Sequence, residues 1–81
     1  MSGEFTLDTA EDKSALTITR VTGSTGTRHR MLQMGFTPGT QLKVLRHGPL
    51  DDPVEIVMRG AKLALRREEA RNIAVKKTES K

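Results

Sequence analysis

Hydrophobic and polar residues alternate in several short segments of the chain, and this two-residue period is typical of β strands with one buried face. In the first segment Leu16 and Ile18 fall on one side, and in a later segment Val54 and Ile56 do the same. The pattern predicts strands over Ala15–Val21, Gln41–His47, 54–59, 61–66 and 73–75. The second and third of these strands would form a β-hairpin joined by a polar turn.

One short helix and two tight turns interrupt this pattern. Residues 28–34 consist largely of good helix formers, and Thr27 before them is a candidate N-cap. Proline followed by glycine at 38–39 fits the central pair of a type II turn, because proline fixes the first φ and glycine accepts the positive second φ. The residues predicted to act as structural turns are Gly35, Pro38, Gly39 and Gly60.

About five short strands with one inserted helix predict a mainly β fold, a small and partly open barrel, because closure hides the strand edges. A single helical turn is predicted near 67–72, with Glu68 and Glu69 where the helix dipole favours anions. We expect an acidic, partly ordered polar arm over 1–13, a barrel over 14–76 and a flexible tail over 77–81. The predicted core is Leu16, Ile18, Leu32, Phe36, Leu42, Val44, Val54, Ile56, Leu63, Leu65, Ala70, Ile73 and Val75.

Charge is distributed unevenly along the chain, although the formal net charge is only +4. Every charged residue up to position 12 is acidic, whereas residues 13–50 contain lysine and arginine and neither aspartate nor glutamate. Such a basic block favours an acidic partner, nucleic acid or the chain's own acidic arm. The alternative is a solvated basic face that binds nothing.

The residue types argue against a catalytic or metal site. The chain contains no cysteine, and its histidines, His29 and His47, lie on different elements without acidic residues at a ligand spacing. No serine, histidine and acid are grouped as nucleophilic catalysis requires. We therefore predict no catalytic, cofactor or metal site. No apolar run approaches the roughly 18 residues of a membrane span, and the acidic N-terminus is unlike a signal peptide, so we expect a soluble cytoplasmic protein.

Four segments together resemble a known family. Residues 30–40 (RMLQMGFTPGT) are similar to the arginine, leucine, glycine and Pro-Gly run of the FeoA family. Residues 49–54 (PLDDPV), 64–70 (ALRREEA) and 73–75 (IAV) follow in the family's order. Met31 and Met34 stand where the family favours leucine, a nearly volume-conserving exchange that keeps the core while making the patch more adaptable.

The resemblance implies an SH3-like barrel and a non-catalytic accessory role in bacterial ferrous iron uptake. It also implies a partner, the cytosolic part of the FeoB membrane transporter, which contains a GTP-binding domain. The barrel would then offer a contact surface around its helix. The candidate partner surface is Arg28, Arg30, Met31, Leu32 and Met34.

A nucleic-acid-binding or regulatory small barrel is the alternative, since the sequence pI is about 10.0. With two phenylalanines and no tyrosine or tryptophan, the chain lacks the aromatic platform that small barrels use for single strands, which makes nucleic acid the weaker choice. Related domains are fused to metal-responsive repressors, but 81 residues leave no room for a helix-turn-helix beside the barrel.

The predicted helix poses one electrostatic question. Arg28, His29 and Arg30 would crowd its first turn, where the helix dipole disfavours cations. We expect a carboxylate to offset this, supplied by Asp51, Asp52 or the N-terminal arm, or else by an acidic surface of a partner.

Overall fold

A computed structural model of the chain describes residues 3–78, except for the side chain of Asp51. The elements comprise six β strands and two α helices, with single 3-10 turns at Leu7–Thr9 and Pro49–Asp51. The strands are β1 (Phe5–Thr6), β2 (Ala15–Val21), β3 (Gln41–His47), β4 (Val54–Met58), β5 (Ala61–Leu65) and β6 (Ile73–Lys77). The helices are α1 (Thr25–Gln33) and α2 (Arg67–Ala70).

All strands belong to one antiparallel sheet in the order β1-β6-β2-β3-β4-β5. The register shifts between Ile18 and Arg20 on β2, and again between Val44 and Arg46 on β3. Such bulges bend and twist a strand, which lets a single sheet curl around its own inner face. The prediction of a mainly β, SH3-like small barrel is confirmed, with β1 as a strand that the alternation pattern did not predict.

The inner face of the curled sheet carries the hydrophobic core, and α1 and α2 each add one fully buried residue to it. The predicted core is correct except that Leu32 and Leu63 are only partly buried. Residues buried in addition to those predicted are Leu7, Ala10, Val21, Met31, Met58 and Ala74. The strand alternation predicted most of the sheet's contribution but not Val21, Met58 and Ala74, and the other additions come from α1 and the N-terminal segment.

The N-terminal segment is part of the barrel. Phe5 pairs with Val75 and Thr6 with Ala74 on β6, and Leu7 is fully buried. Residues 5–10 of the predicted 1–13 arm are thus attached to the barrel by a strand pairing and three apolar side chains. At the other end, Lys77 is the last residue of β6, and positions 79–81 of the predicted tail lie outside the described residues.

Helix α1 begins earlier than the sequence predicted. Ser24 is the N-cap, since its hydroxyl oxygen accepts a hydrogen bond from the Thr27 amide at 3.3 Å. Arg28 is then the fourth helical residue, and Arg30 lies in the last turn, where the helix dipole favours a cation. The predicted crowding of cations in the first turn is wrong, because Thr25, Gly26 and Thr27 occupy that turn.

The C-terminal end of α1 is closed by a Schellman motif. The amide of Phe36 donates to the carbonyl of Met31 at 3.1 Å, and the amide of Gly35 donates to that of Leu32 at 3.0 Å. Gly35 has a φ of 103°, as this motif requires, and Phe36 and Met31 are both fully buried beside it. The predicted stop at Gly35 is confirmed, and its physical purpose is to turn Phe36 back into the core.

The predicted tight turns are also confirmed. The Thr40 amide donates to the Thr37 carbonyl at 3.0 Å around Pro38 and Gly39, and Gly39 has the positive φ of a type II turn, 92°. Between β4 and β5, Arg59 and Gly60 have φ values of 54° and 80°, the signature of a two-residue type I′ hairpin turn.

Candidate partner surface on helix α1

Helix α1 packs on the barrel through very few side chains. Met31 is its only fully buried residue, and Leu32 is partly buried against the core. A helix that belongs to a globular core normally presents a broad apolar stripe to it. Most of α1 therefore faces outward, held by its caps and by these two residues.

The outward side of α1 is polar and cationic. Arg28, His29, Arg30 and Gln33 are exposed, and Met34 at the C-cap is 43% exposed. The helix contains no acidic residue. Only two large hydrophobic side chains are exposed among the described residues, and Met34 is one of them. Cationic groups around one accessible apolar side chain suit contact with an acidic protein surface.

Two of these cations are oriented by acceptors in the barrel. The Arg28 Nε donates to the Val21 carbonyl at 3.2 Å, and the Arg30 Nη2 forms an ion pair with the Glu69 Oε2 at 2.6 Å. The Arg30 side chain nevertheless remains 58% exposed. The expectation of an intramolecular carboxylate is thus correct for Arg30, although the carboxylate comes from α2.

Three of the carboxylates that the sequence suggested for this purpose are used elsewhere. The Asp52 Oδ1 accepts from the Arg67 amide at 3.0 Å, and Asp12 pairs with His47 at 2.9 Å. Glu4 forms an ion pair with Arg20 at 2.9 Å. The sequence did not indicate Glu69 as the partner of Arg30, because the two residues lie 39 positions apart.

Glu69 links the two helices. Its Oε1 accepts from the Arg66 amide at 3.0 Å, which caps the start of α2, while its Oε2 holds Arg30 of α1. A glutamate at the third helical position commonly accepts from the N-cap amide in this way. The sequence predicted an acidic start to α2 but not this second contact.

Of the five residues predicted for the partner surface, Arg28, Arg30 and Met34 are accessible, and Leu32 is partly buried. Met31 is 0% exposed, so its assignment to a contact surface is wrong. The reason is the Schellman motif, which places Met31 directly against Phe36.

Sequence reasoning missed Arg59, which comes from the β4–β5 turn. A β-carbon added at Gly35 would lie 3.4 Å from the Met58 methyl and 3.8 Å from the Arg59 Nη1, so the arginine reaches the end of α1. The Arg59 Nη2 also donates to the Thr40 hydroxyl at 3.3 Å. No local pattern marks this approach, because it depends on how the hairpin folds over the helix end. We define the α1 surface as Arg28, His29, Arg30, Gln33, Met34 and Arg59.

The turn residues next to this surface are structural. Within the turn, the Gly39 amide donates to the Ile18 carbonyl at 2.8 Å, and the Ile18 amide donates to the Thr40 carbonyl at 2.9 Å. These bonds fasten the turn to β2. Gly60 is exposed at the β4–β5 turn and fixes the direction of that hairpin.

Residues 3–78 contain no group of three or more histidine, aspartate and glutamate side chains placed to hold a metal ion. His47 instead pairs with Asp12, and this hydrogen bond lowers the pKa of the Asp12 carboxyl. The described helices are also too short to cross a bilayer, since the longer of them has nine residues.

Comparison with known proteins agrees with this fold. The FeoA domain family matches residues 5–77. A FeoA-like protein from Clostridium acetobutylicum superposes with a TM-score of 0.87 at 27% identity, covering 100% of this chain and 94% of that one. The FeoA protein from Chlorobium tepidum gives 0.83 at 33% identity, over 93% of this chain and 71% of that one. No significant match is found among curated proteins.

The same fold occurs in larger proteins. A manganese-dependent transcriptional repressor is similar with a TM-score of 0.86 at 16% identity, and the match covers 96% of this chain but only 44% of the repressor. At that identity the likeness concerns the fold alone. The match over nearly the whole length of the chain and the close superposition on FeoA proteins show that it belongs to the FeoA domain family, small proteins associated with ferrous iron transport.

Proposed function

We propose that this protein is a non-catalytic accessory of ferrous iron uptake that acts in the cytoplasm by binding the cytosolic part of the FeoB transporter. Family membership supports the pathway, and the α1 surface supports the mode of action. The partner would present an acidic surface to α1.

The observation that carries this proposal is the exposed, cationic helix. A nine-residue helix that buries only one side chain completely adds little to the core. A helix with so polar a surface is typical of one that bridges to a second body. Its cations are held in place by Val21 and Glu69, so they would lose less side-chain entropy on binding than free arginines.

The electrostatic part of the contact predicts its salt dependence. Exposed charges that attract a partner raise the association rate, and salt screens them over about 10 Å at 0.1 M. Affinity for the partner should therefore fall as ionic strength rises, mainly through slower association. A contact made by Met34 and Leu32 alone would depend little on salt.

The test is titration of this protein with the purified cytosolic part of FeoB, followed by amide NMR and calorimetry. Gln33→Glu places a negative charge on the α1 surface without removing any hydrogen bond of the described residues. Gln41→Glu on β3 is the matched control, because the side chain is identical and is also exposed. We expect Gln33→Glu to weaken binding about three- to tenfold, the effect of a like charge at a contact rim. Gln41→Glu should bind as the wild type does.

Amide shifts confined to α1 and the Arg59 turn would support the assigned surface. Equal affinity of wild type and Gln33→Glu, with unchanged stability, would remove α1 from the contact. Absence of any binding to the FeoB cytosolic part would reject the proposed function itself.

Nucleic-acid binding remains the second candidate because of the basic pI of about 10.0. In the described chain, however, Phe36 is fully buried and Phe5 is partly buried against the core, so neither offers an exposed ring as a stacking platform. A gel shift with single- and double-stranded oligonucleotides near physiological salt separates the two functions, since the transporter contact predicts no shift.

A further inference from the structure

Strand β5 forms an open edge of the sheet. It lies at the end of the strand order and pairs only with β4, from Met58 opposite Ala61 to Val54 opposite Leu65. In a two-residue hairpin the pair next to the turn is hydrogen bonded, and the bonding then alternates along the strand. The amide and carbonyl groups of Lys62 and Ala64 therefore point away from β4.

No other part of the described chain uses these outward groups. None of the remaining backbone hydrogen bonds involves Lys62 or Ala64, and both residues are exposed. Natural sheets usually protect such an edge, because free amides and carbonyls are a template for another strand. Here the edge is left accessible.

Three neighbouring surface depressions lie beside β5 and the residues that follow it. The first depression is lined by Lys62 and Ala64 together with Glu55 of β4, the next by Asp52, Ala64 and Arg66, and the third by Asp52, Arg66 and residues of α2 up to Arg71. Neighbouring depressions share lining residues, and together they make up what we call the groove. A row of depressions beside a free strand edge suits an extended chain better than a compact ligand.

Cations outnumber acidic side chains along the groove by four to three. Its cations are Lys62, Arg66, Arg67 and Arg71, and none of them forms an ion pair within the described residues. Two of the three acidic residues beside them are already engaged. Glu55 pairs with Arg46 at 3.2 Å, and the Asp52 carboxylate accepts from the Arg67 amide.

From this geometry we infer that the β5 edge binds an extended acidic segment of another protein by strand addition. The segment pairs with the free backbone groups of Lys62 and Ala64, and its carboxylates lie beside the groove's cations. This site is separate from the α1 surface and goes beyond the proposed function.

Charge complementarity selects this occupant over a second copy of the chain. Two β5 edges paired about a two-fold axis would bring the basic groups of both copies together, and like charges across a strand pair are destabilising. A nucleic acid would meet the cations but could not use the outward amides and carbonyls as a β ladder does. An acidic strand uses both features.

The test employs the full chain and a blocked peptide of alternating glutamate and valine, about seven residues long to match an ordinary strand. A peptide of alternating lysine and valine is the control for charge. We expect the acidic peptide to shift the amide signals of Lys62 and Ala64 and to slow their hydrogen exchange. The lysine peptide should leave both unchanged.

Two variants separate backbone pairing from charge. Ala64→Pro removes one outward amide without breaking the ladder to β4, a position where an edge strand tolerates proline, and should lower affinity at least tenfold. Lys62→Glu should weaken binding about three- to tenfold through charge alone. Lys43→Glu is its matched control, because Lys43 on β3 and Lys62 on β5 both pair with Val57, which lies between them on β4.

Several results would overturn the inference. One is that the acidic peptide at millimolar concentration shifts no amide signal, and another is that it shifts signals of the α1 surface instead of those of Lys62 and Ala64. A third is that the lysine peptide binds as well as the acidic one. Unchanged affinity of Lys62→Glu would have the same consequence even if Ala64→Pro failed to fold. If the Lys62 and Ala64 amides were protected from hydrogen exchange in a dimer without peptide, the edge would bind a second copy of the chain. If an oligonucleotide shifted these amide signals more strongly than the acidic peptide does, the edge would bind nucleic acid.

Discussion

At the residue scale, the end of α1 depends on Gly35. The left-handed φ at this position lets the chain reverse, so that Phe36 packs beside Met31 while Met34 stays accessible. The core and the proposed contact surface thus meet within six consecutive residues, 31–36. A change at Gly35 affects both.

Gly35→Ala should destabilise the protein by about 1–2 kcal/mol, the cost of a left-handed conformation for a residue with a β-carbon. The new methyl would meet the Met58 methyl at 3.4 Å, an ordinary contact, so the backbone term dominates. Chemical denaturation of both proteins measures the difference.

Gly26→Ala is the matched control for that substitution. Gly26 lies inside α1 with open space around its β position, so alanine should stabilise the protein by up to about 1 kcal/mol. Effects of the same sign for the two substitutions would contradict the assigned backbone roles.

At the element scale, Glu69 couples α1 to α2. One carboxylate oxygen caps α2 at the Arg66 amide, and the other holds Arg30 on α1. The orientation of the proposed contact helix therefore depends on a residue outside it. A sequence comparison limited to residues 25–33 would overlook this dependence.

Glu69→Ala should cost more stability than Arg30→Ala, because the first removes a cap and an ion pair and the second only the ion pair. We expect about 1 kcal/mol for the cap. The coupling in a double-mutant cycle should be about 0.5 kcal/mol, reduced by the exposure of Arg30. Denaturation of the two single variants and the double variant gives these values.

The comparison pair for this cycle is Arg46 and Glu55, which are also partly exposed but lie within one hairpin. Breaking the ion pair between Arg46 and Glu55 should leave amide hydrogen exchange in α1 unchanged. Arg30→Ala should instead accelerate that exchange. Equal costs for Glu69→Ala and Arg30→Ala would show that the cap contributes nothing.

At the scale of the whole molecule, carboxylates near the N-terminus fasten this segment to the sheet. Glu4 accepts hydrogen bonds from Thr19 and Arg20 on β2, and Asp12 binds His47 on β3. The Thr19 hydrogen bond lowers the pKa of Glu4, and the His47 hydrogen bond lowers the pKa of Asp12. Stability should therefore depend on pH in the acid range.

Because both pKa values are lower in the folded chain, the unfolded chain binds more protons in acid, and stability rises with pH there. The contribution is complete above the unfolded pKa of about 4 and is lost as pH falls through the lower, folded pKa. Asp12→Asn should reduce this pH dependence in urea denaturation between about pH 2 and 5.

Glu11→Gln controls for the general loss of a carboxylate in the same segment, because the Glu11 side chain accepts no hydrogen bond within residues 3–78. It should leave the slope of stability against pH as in the wild type. An Asp12→Asn slope equal to that of Glu11→Gln would mean that the contact with His47 does not stabilise the fold.

The sequence by itself determined the strands β2 to β6, the turns and the fold class. Alternation of apolar residues fixes which side of a strand is buried, and Gly35, Pro38 and Gly39 determine where the backbone turns. Both features depend on residues that are neighbours in the sequence, so they can be predicted from it. Four ordered segments were enough to indicate the FeoA family. The start of α1 was missed because several residues near it can cap a helix, and only Ser24 has the required geometry.

Only the tertiary structure decided which residues the surface presents for contact with a partner. Burial of Met31, the bond between Arg30 and Glu69, and the approach of Arg59 to the helix end all join residues from different elements. The strand order, which leaves β5 at an open edge beside a basic groove, has the same origin. Such contacts depend on how the sheet curls, since distances between elements are set by the packing of the whole core and not by any local pattern.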